Sequence, residues 1–272
     1  MGNKTALLTL DTLELRARLA SGAVSALEVT EACLDRIAAR NEAVQAWAWI
    51  DPEFARDQAR RLDTHRKAGR PLGALHGLPV GVKDVIDTAK MPTENGCALD
   101  AGRVPLQDAF VVGRLKQAGA VILGKTVTTE LAFMQAGKTR NPHNPEHTPG
   151  GSSSGSAAAV ADLQVPFAIG TQTGGSVIRP ASYCGVTGFK PSFGAIPRRG
   201  VLMQSPSLDT VGVFARSPLD AALLAEALFG YDPQDSATSP APLPHLLDVA
   251  RTDPPVKPLF ALIKPPGWAD AD

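Results

Sequence analysis

The chain has 272 residues, 44% of them hydrophobic, and its 27 Lys+Arg balance 27 Asp+Glu for a formal net charge of zero. Such a chain can bury one large core or two smaller ones. Zero net charge removes the electrostatic reason for a nucleic-acid or membrane-surface partner, and the apolar runs fall short of a bilayer span.

The first residues, MGNKTALLTLDTLELRARLASG, hold no contiguous apolar signal core, so export is not expected. Cys33, Cys97 and Cys184 are odd in number and widely spaced. They offer neither a disulfide framework nor zinc-ligand spacing, and they suit a reducing cytoplasm. The five histidines show no HExxH pattern. No metal and no cofactor are expected.

In chain order, Ser25-Ala26-Leu27-Glu28 reads as a capping box that opens a helix. Leu27, Thr30, Leu34, Ile37 and Ala38 would line its inner face. Trp47 and Trp49 alternate along AWAWI and would share one face of a strand. A helix from Pro52 to about Lys67 would turn Phe54, Ala55, Ala59 and Leu62 inward. GLPVGVKDVID (77–87) reads as a buried strand ending at Lys83. Asp108 would cap a helix through Ala118, with Gly119 as its stop. AVILGKT is a second buried strand, and 141–149 is a loop rich in Pro, His and Asn. A helix of small residues follows at about 154–162. VPFAIGT is a strand that leads into a Gly/Ser cluster. Residues 185–190 are strand-like. Ser217 caps a helix to Phe229, with Pro218 at its first position. Residues 231–257 read as a long loop, and PLFALIK as one more strand, after which GWADAD looks like the start of a new element. Alternating strands and helices predict an α/β fold, a mixed central sheet covered by helices on both faces. We expect one domain over 1–272, with N-terminal helices over about 1–70 and a core over about 71–230.

Two motifs match on paper and fail on physics. Gly119–Thr126 fits G-x-x-x-x-G-K-[ST], but its variable positions are Ala, Val, Ile and Leu, which favour a buried strand over an open phosphate loop. Gly151-Ser152-Ser153-Ser154-Gly155 fits G-x-S-x-G, but NPHNPEHTPG before it cannot be the central strand that a nucleophile elbow needs.

A third arrangement uses both Gly/Ser clusters. Ser152 and Ser176 are 24 positions apart, and Lys83 ends an apolar strand upstream. A serine hydroxyl is a poor nucleophile until a base takes its proton. A lysine can be that base when burial penalises its ammonium form, and Val80, Val82, Val85 and Ile86 favour burial of Lys83. A second serine between them would relay the proton. Thr173-Gly174-Gly175-Ser176 offers consecutive backbone N–H groups left open by glycine, as an oxyanion hole requires. The bland readings are a solvent-seeking Lys83 and a Ser176 that only caps a helix. Ser153 is expected to brace its loop. Asp84 and Asp87 are expected to hold turns rather than catalyse, and Cys184 to be a small buried hydrophobe. Arg179 either forks onto a substrate carboxylate or makes a structural ion pair.

These segments, GLPVGVKDVIDT, GKTVTTELAF, NPHNPEHTPGGSSSGSAAAVA and GTQTGGSVIRPASYCGVTGFKPS, resemble the amidase signature hydrolases, and the resemblance runs from the N-terminal helices to about Ser217. It implies a Ser–cisSer–Lys triad: Ser176 as nucleophile, Ser152 as bridging serine after a cis peptide bond, Lys83 as base. It implies an oxyanion hole from the backbone of Thr173, Gly174, Gly175 and Ser176. The implied reaction is hydrolysis of a small-molecule amide through an acyl-enzyme, in the cytoplasm, with a homodimer common in such families. The chain carries Gln172 where many members have Asp, which we expect to be a structural variation. Family chains usually continue well beyond the length seen here, so the fold is expected to be incomplete. The alternatives are a glutamine-hydrolysing A subunit of a tRNA-dependent amidotransferase, and a non-catalytic truncated fragment.

Overall fold

The computed structural model describes residues 2–264 and 266–270. Four helices and a strand come first: α1 (Gly2–Thr9), α2 (Thr12–Ser21), α3 (Ala26–Val44), β1 (Trp47–Ile50) and α4 (Pro52–Lys67). The caps explain their starts. Ser25 Oγ accepts the Glu28 N–H at 3.1 Å and the Glu28 carboxylate accepts the Ser25 N–H at 2.8 Å, the predicted capping box. Asp51 accepts the Phe54 N–H at 3.0 Å ahead of Pro52. Buried Asp63 of α4 then accepts the Ala26 and Leu27 N–H groups, fastening α4 to the start of α3.

The remaining elements are β2 (Pro79–Lys83), α5 (Phe110–Gln117), β3 (Val121–Thr126), α6 (Ser154–Ala161), β4 (Phe167–Gln172), α7 (Ile178–Cys184), β5 (Thr187–Phe189), β6 (Thr210–Ala215), α8 (Pro218–Leu228) and α9 (Leu246–Ala250). Six strands form one mixed sheet in the order β1-β3-β2-β4-β6-β5. β2 pairs parallel with both β3 and β4, while the β1–β3, β4–β6 and β6–β5 pairs are antiparallel. This is the predicted α/β architecture.

The order places the site. From β2 the chain crosses through α5 to β3 on one side, then through α6 to β4 on the other. Right-handed crossovers in opposite directions require opposite faces. Accordingly α5 and α8 pack in one hydrophobic cluster, with Val111, Leu115 and Leu224, and α6 and α7 in a second, with Ala158, Val160 and Ala181. Lys83, Thr126 and Gln172 are the last residues of three parallel strands, so they share one sheet edge. Connections leaving β2 and β4 part to opposite faces there, which opens a crevice between their carboxyl ends.

α6 lies directly on the sheet because its residues are small. A Cβ at Gly155 would meet the Ala46 carbonyl oxygen at 2.2 Å and the Val127 nitrogen at 2.4 Å, both backbone atoms. Gly155→Ala is therefore expected to cost about 3 kcal/mol or more, read as a lowered urea midpoint.

Several expectations are corrected. Ala38 is exposed, and the buried stripe of α3 runs through Val29, Cys33 and Ile37. Asp108 does not cap α5. The N-cap position is Ala109, and Asp108 accepts the Ala89 N–H and pairs with Lys116. A bulge between Trp47 and Trp49 sends Trp47 into one core cluster and Trp49 against the other, so they do not share a face. β6, buried at every position, lies where no strand was expected. The long loop over 231–257 contains the short α9. PLFALIK forms no strand; it pairs with no described strand, and Leu259 is 98% exposed. Trp268–Asp270 form a 3-10 turn, and the last two residues of GWADAD lie outside the described residues.

Candidate active site

Lys83 ends β2 with its side chain 0% exposed. Its Nζ donates to Ser152 Oγ at 2.7 Å and to Thr171 Oγ1 at 2.8 Å. Burial pushes the amine from its ordinary 10.5 down to about 7, and the Asp209 carboxylate works in the opposite direction. A lysine poised there can both take and return a proton near neutrality. The solvent-seeking reading of Lys83 is excluded by this burial.

Ser152 lies in the loop before α6, nearly inaccessible, and the Gly151–Ser152 peptide bond is cis. Gly150 has φ +74°, and a Cβ there would meet Pro180 Cα at 3.0 Å, so only glycine fits the approach to α7. Ser153 braces the loop as expected: its hydroxyl donates to the Thr171 carbonyl at 3.1 Å and accepts the Thr171 N–H at 3.3 Å.

Ser176 is 8% exposed, in the turn that enters α7. Its carbonyl accepts the Ser153 N–H at 3.4 Å, which brings the two Gly/Ser clusters together. Its hydroxyl makes no hydrogen bond among the described residues, so none of them holds it back from a carbonyl. The N–H groups of Gly174, Gly175 and Ser176 likewise donate to no acceptor among the described residues. A Cβ at Gly174 would meet nothing within 4 Å, so there is open space beside this residue.

Gln172 holds the row in shape. Its carbonyl oxygen accepts the Val177 and Ile178 N–H groups at 2.8 and 3.0 Å, and its amide donates to the Gly174 carbonyl at 3.1 Å. The structural role expected for it is what it has. Arg179 does not make the structural ion pair among the described residues. Its Nε and Nη2 fork onto the Gly151 carbonyl at 3.1 and 3.0 Å. Both Nη1 donors and the second Nη2 donor are left for a ligand. Asp84 and Asp87 hold turns: Asp84 accepts the Glu94 N–H, and Asp87 pairs with Arg103 at 2.7 Å.

Thr171 and Asp209 were not singled out from the sequence. Thr171 lies within the quoted GTQTGGS, where its spacing from Ser176 gave the signal; Asp209 in PSLDTVG gave none. Clefts of about 240 Å³ and about 430 Å³ open beside the site, the first lined by Thr148, Gly151 and Arg179, the second by Leu131, Phe133 and Met203. Among the described residues no group of three or more His, Cys, Asp or Glu could hold a metal ion. None of the described helices is long and apolar enough to cross a membrane.

A family model described as Amidase matches residues 28–271. The chain is 46% identical over 253 residues to the A subunit of the glutamyl-tRNA(Gln) amidotransferase of Salinispora arenicola, covering 91% of this chain and 52% of that protein. Among solved structures, it matches the peptide amidase from Stenotrophomonas maltophilia with a TM-score of 0.82 and 39% identity, covering 88% of this chain and 51% of that one. A chain from a vestigial protein complex bearing on the origins of an s-triazine catabolic enzyme matches with a TM-score of 0.85 and 38% identity, over 88% and 54%. The chain thus spans about half the length of the curated relatives it matches.

Proposed function

The chain belongs to the amidase family, and from that premise we propose that it hydrolyses the amide bond of a small molecule through an acyl-enzyme on Ser176. The observation that carries the reading is the contact of a buried, near-neutral Lys83 with Ser152 at 2.7 Å. Ser176 Oγ attacks the carbonyl carbon while its proton passes through the Ser152 hydroxyl to the neutral Lys83 amine. The carbonyl oxygen gains charge and is met by the N–H groups of Thr173, Gly174, Gly175 and Ser176. The C–N bond then breaks as the proton returns from Lys83 through Ser152 to the departing ammonia or amine. Water attacks the acyl-enzyme by the same relay, and the carboxylic acid leaves. The three free cysteines are consistent with a cytoplasmic setting, which belongs to the same proposal.

A second reading is favoured by the relatives: the glutamine-hydrolysing component of a tRNA-dependent amidotransferase, in line with the name of the Salinispora arenicola protein. Glutamine hydrolysis that rises with added partner proteins and tRNA would select it over a free-standing amidase.

The test is labelling with a serine-directed fluorophosphonate, followed by mass-spectrometric mapping of the modified peptide. Modification at Ser176 is the expected result. Modification at Ser153 would revive the nucleophile elbow, and none on a folded chain would favour the non-catalytic reading.

A further inference from the structure

Asp209 lies just before β6 and is 7% exposed. One carboxylate oxygen accepts the Thr173 hydroxyl at 2.5 Å. The other accepts the backbone N–H groups of Gln204 and Ser205 at 2.7 and 2.9 Å. Three donors fix this buried carboxylate in place. The Asp209 carbonyl in turn accepts Arg198 Nη1 at 3.1 Å, which anchors the turn from behind. Thr173 opens the row of free amides. Thr171, two residues earlier, receives the Lys83 amine. Asp209, Thr171 and Thr173 line one small cavity, so one carboxylate bears on both halves of the proposed machinery.

We propose that Asp209 is a positioning residue that fixes the amide row through Thr173 and sets a negative charge beside the Thr171 end of the site, where the buried Lys83 amine is held. The inference rests on the triad reading and assigns the control of its proton affinity. The surroundings of Lys83 leave that part to Asp209. From the loop before α6 comes Ser152, and from β4 comes Thr171, both uncharged. After β2 comes Asp84, whose carboxylate is held by the Glu94 N–H and lies 3.8 Å from Lys125 of β3. Lys125 in turn donates to the Ile86 carbonyl and to Thr93, away from Lys83. The charge that acts on Lys83 is that of Asp209, opposing the effect of burial.

The discriminating variant is Asp209→Asn. Its side-chain oxygen can face the Gln204 and Ser205 N–H groups while its NH₂ donates to Thr173 Oγ1. The Thr173 hydroxyl then donates to Gln204 Oε1, already 2.9 Å away. The contacts survive and the charge is gone. The Lys83 amine can be titrated directly by its ¹⁵Nζ resonance, assigned through its absence in Lys83→Met. In Asp209→Asn that titration is expected to move to lower pH by roughly half a unit or more, and the pH midpoint of Ser176 labelling to move with it. An unchanged Lys83 titration overturns the electrostatic part, even if labelling slows. Thr173→Val removes only the hydroxyl link. It is expected to slow labelling about tenfold with the Lys83 titration unmoved, and an unchanged rate overturns the positioning part. If the unsubstituted chain is not labelled at Ser176, the hydrolase reading fails, and the titration of Asp209→Asn still decides whether this carboxylate governs Lys83.

Discussion

Lys83→Met is expected to slow the labelling of Ser176 by about 10⁴-fold while the chain stays folded. Methionine has nearly the length of lysine and no charge, so it fills the same buried space. What is lost is the proposed base. Ser152 and Thr171 each lose a partner, at a cost of about 1–3 kcal/mol for groups left without hydrogen bonds. Against this stands the removal of an amine whose ammonium form the interior disfavours. The pH dependence exposes the trade. Lys83 titrates near 10.5 when unfolded and at about 7 when folded. Between those values the unfolded chain holds more protons, so Lys83 makes the fold gain stability as pH rises through that window and lose it as pH falls toward about 7. Lys83→Met deletes that share. Lys125, also pushed down to about 7 by burial, keeps its own. Urea midpoints at neutral and alkaline pH should thus differ less in the variant than in the unsubstituted chain. Labelling of the unsubstituted chain should rise with pH through about 7, because only the neutral amine can accept the proton. A flat profile would remove Lys83 from the role of base.

Ser152→Ala should slow labelling by about 10²–10³-fold, less than loss of the lysine. The base remains, but the hydroxyl that joins it to the nucleophile is gone. A water in the vacated space can carry part of the proton traffic, which is why the effect is smaller. Lys83 keeps Thr171 as an acceptor, so the fold should persist. Stopped-time labelling with mass detection measures the ratio. Equal rates for Ser152→Ala and the unsubstituted chain would mean that Ser152 relays nothing.

Local signals were legible where the chemistry is local. Capping residues at Ser25 and Ser217 announced two helices, and each cap forms as read. Buried strands announced by Val, Ile and Leu at 79–83 and 121–126 are strands, and the phosphate-loop pattern across Gly119–Thr126 dissolves into one of them. Lys83 and Ser152 were legible together because a fixed spacing of Gly and Ser sits after an apolar run ending in lysine. Long-range contacts were not. Asp209 meets Thr173 from 36 positions away, and no periodicity encodes that meeting. Arg179 was weighed against carboxylates because charge suggests charge, yet a backbone carbonyl is its partner. β6 was not read as a strand, although its Val-Gly-Val repeats the pattern of β2. PLFALIK has strand-forming residues, but a strand also needs a partner, and none of the described ones pairs with it. The bulge at Trp47–Trp49 breaks the period of two on which a shared face depends.

The fork of Arg179 onto the Gly151 carbonyl and the bond from the Ser153 N–H to the Ser176 carbonyl tie two distant stretches of chain at adjacent points. One stretch carries Ser152 and the other Ser176. Thermal displacement of either stretch therefore drags the other with it. The separation of the two hydroxyls is therefore expected to vary less than the position of each, which would shield the proposed proton transfer from the tremor of the surrounding loops.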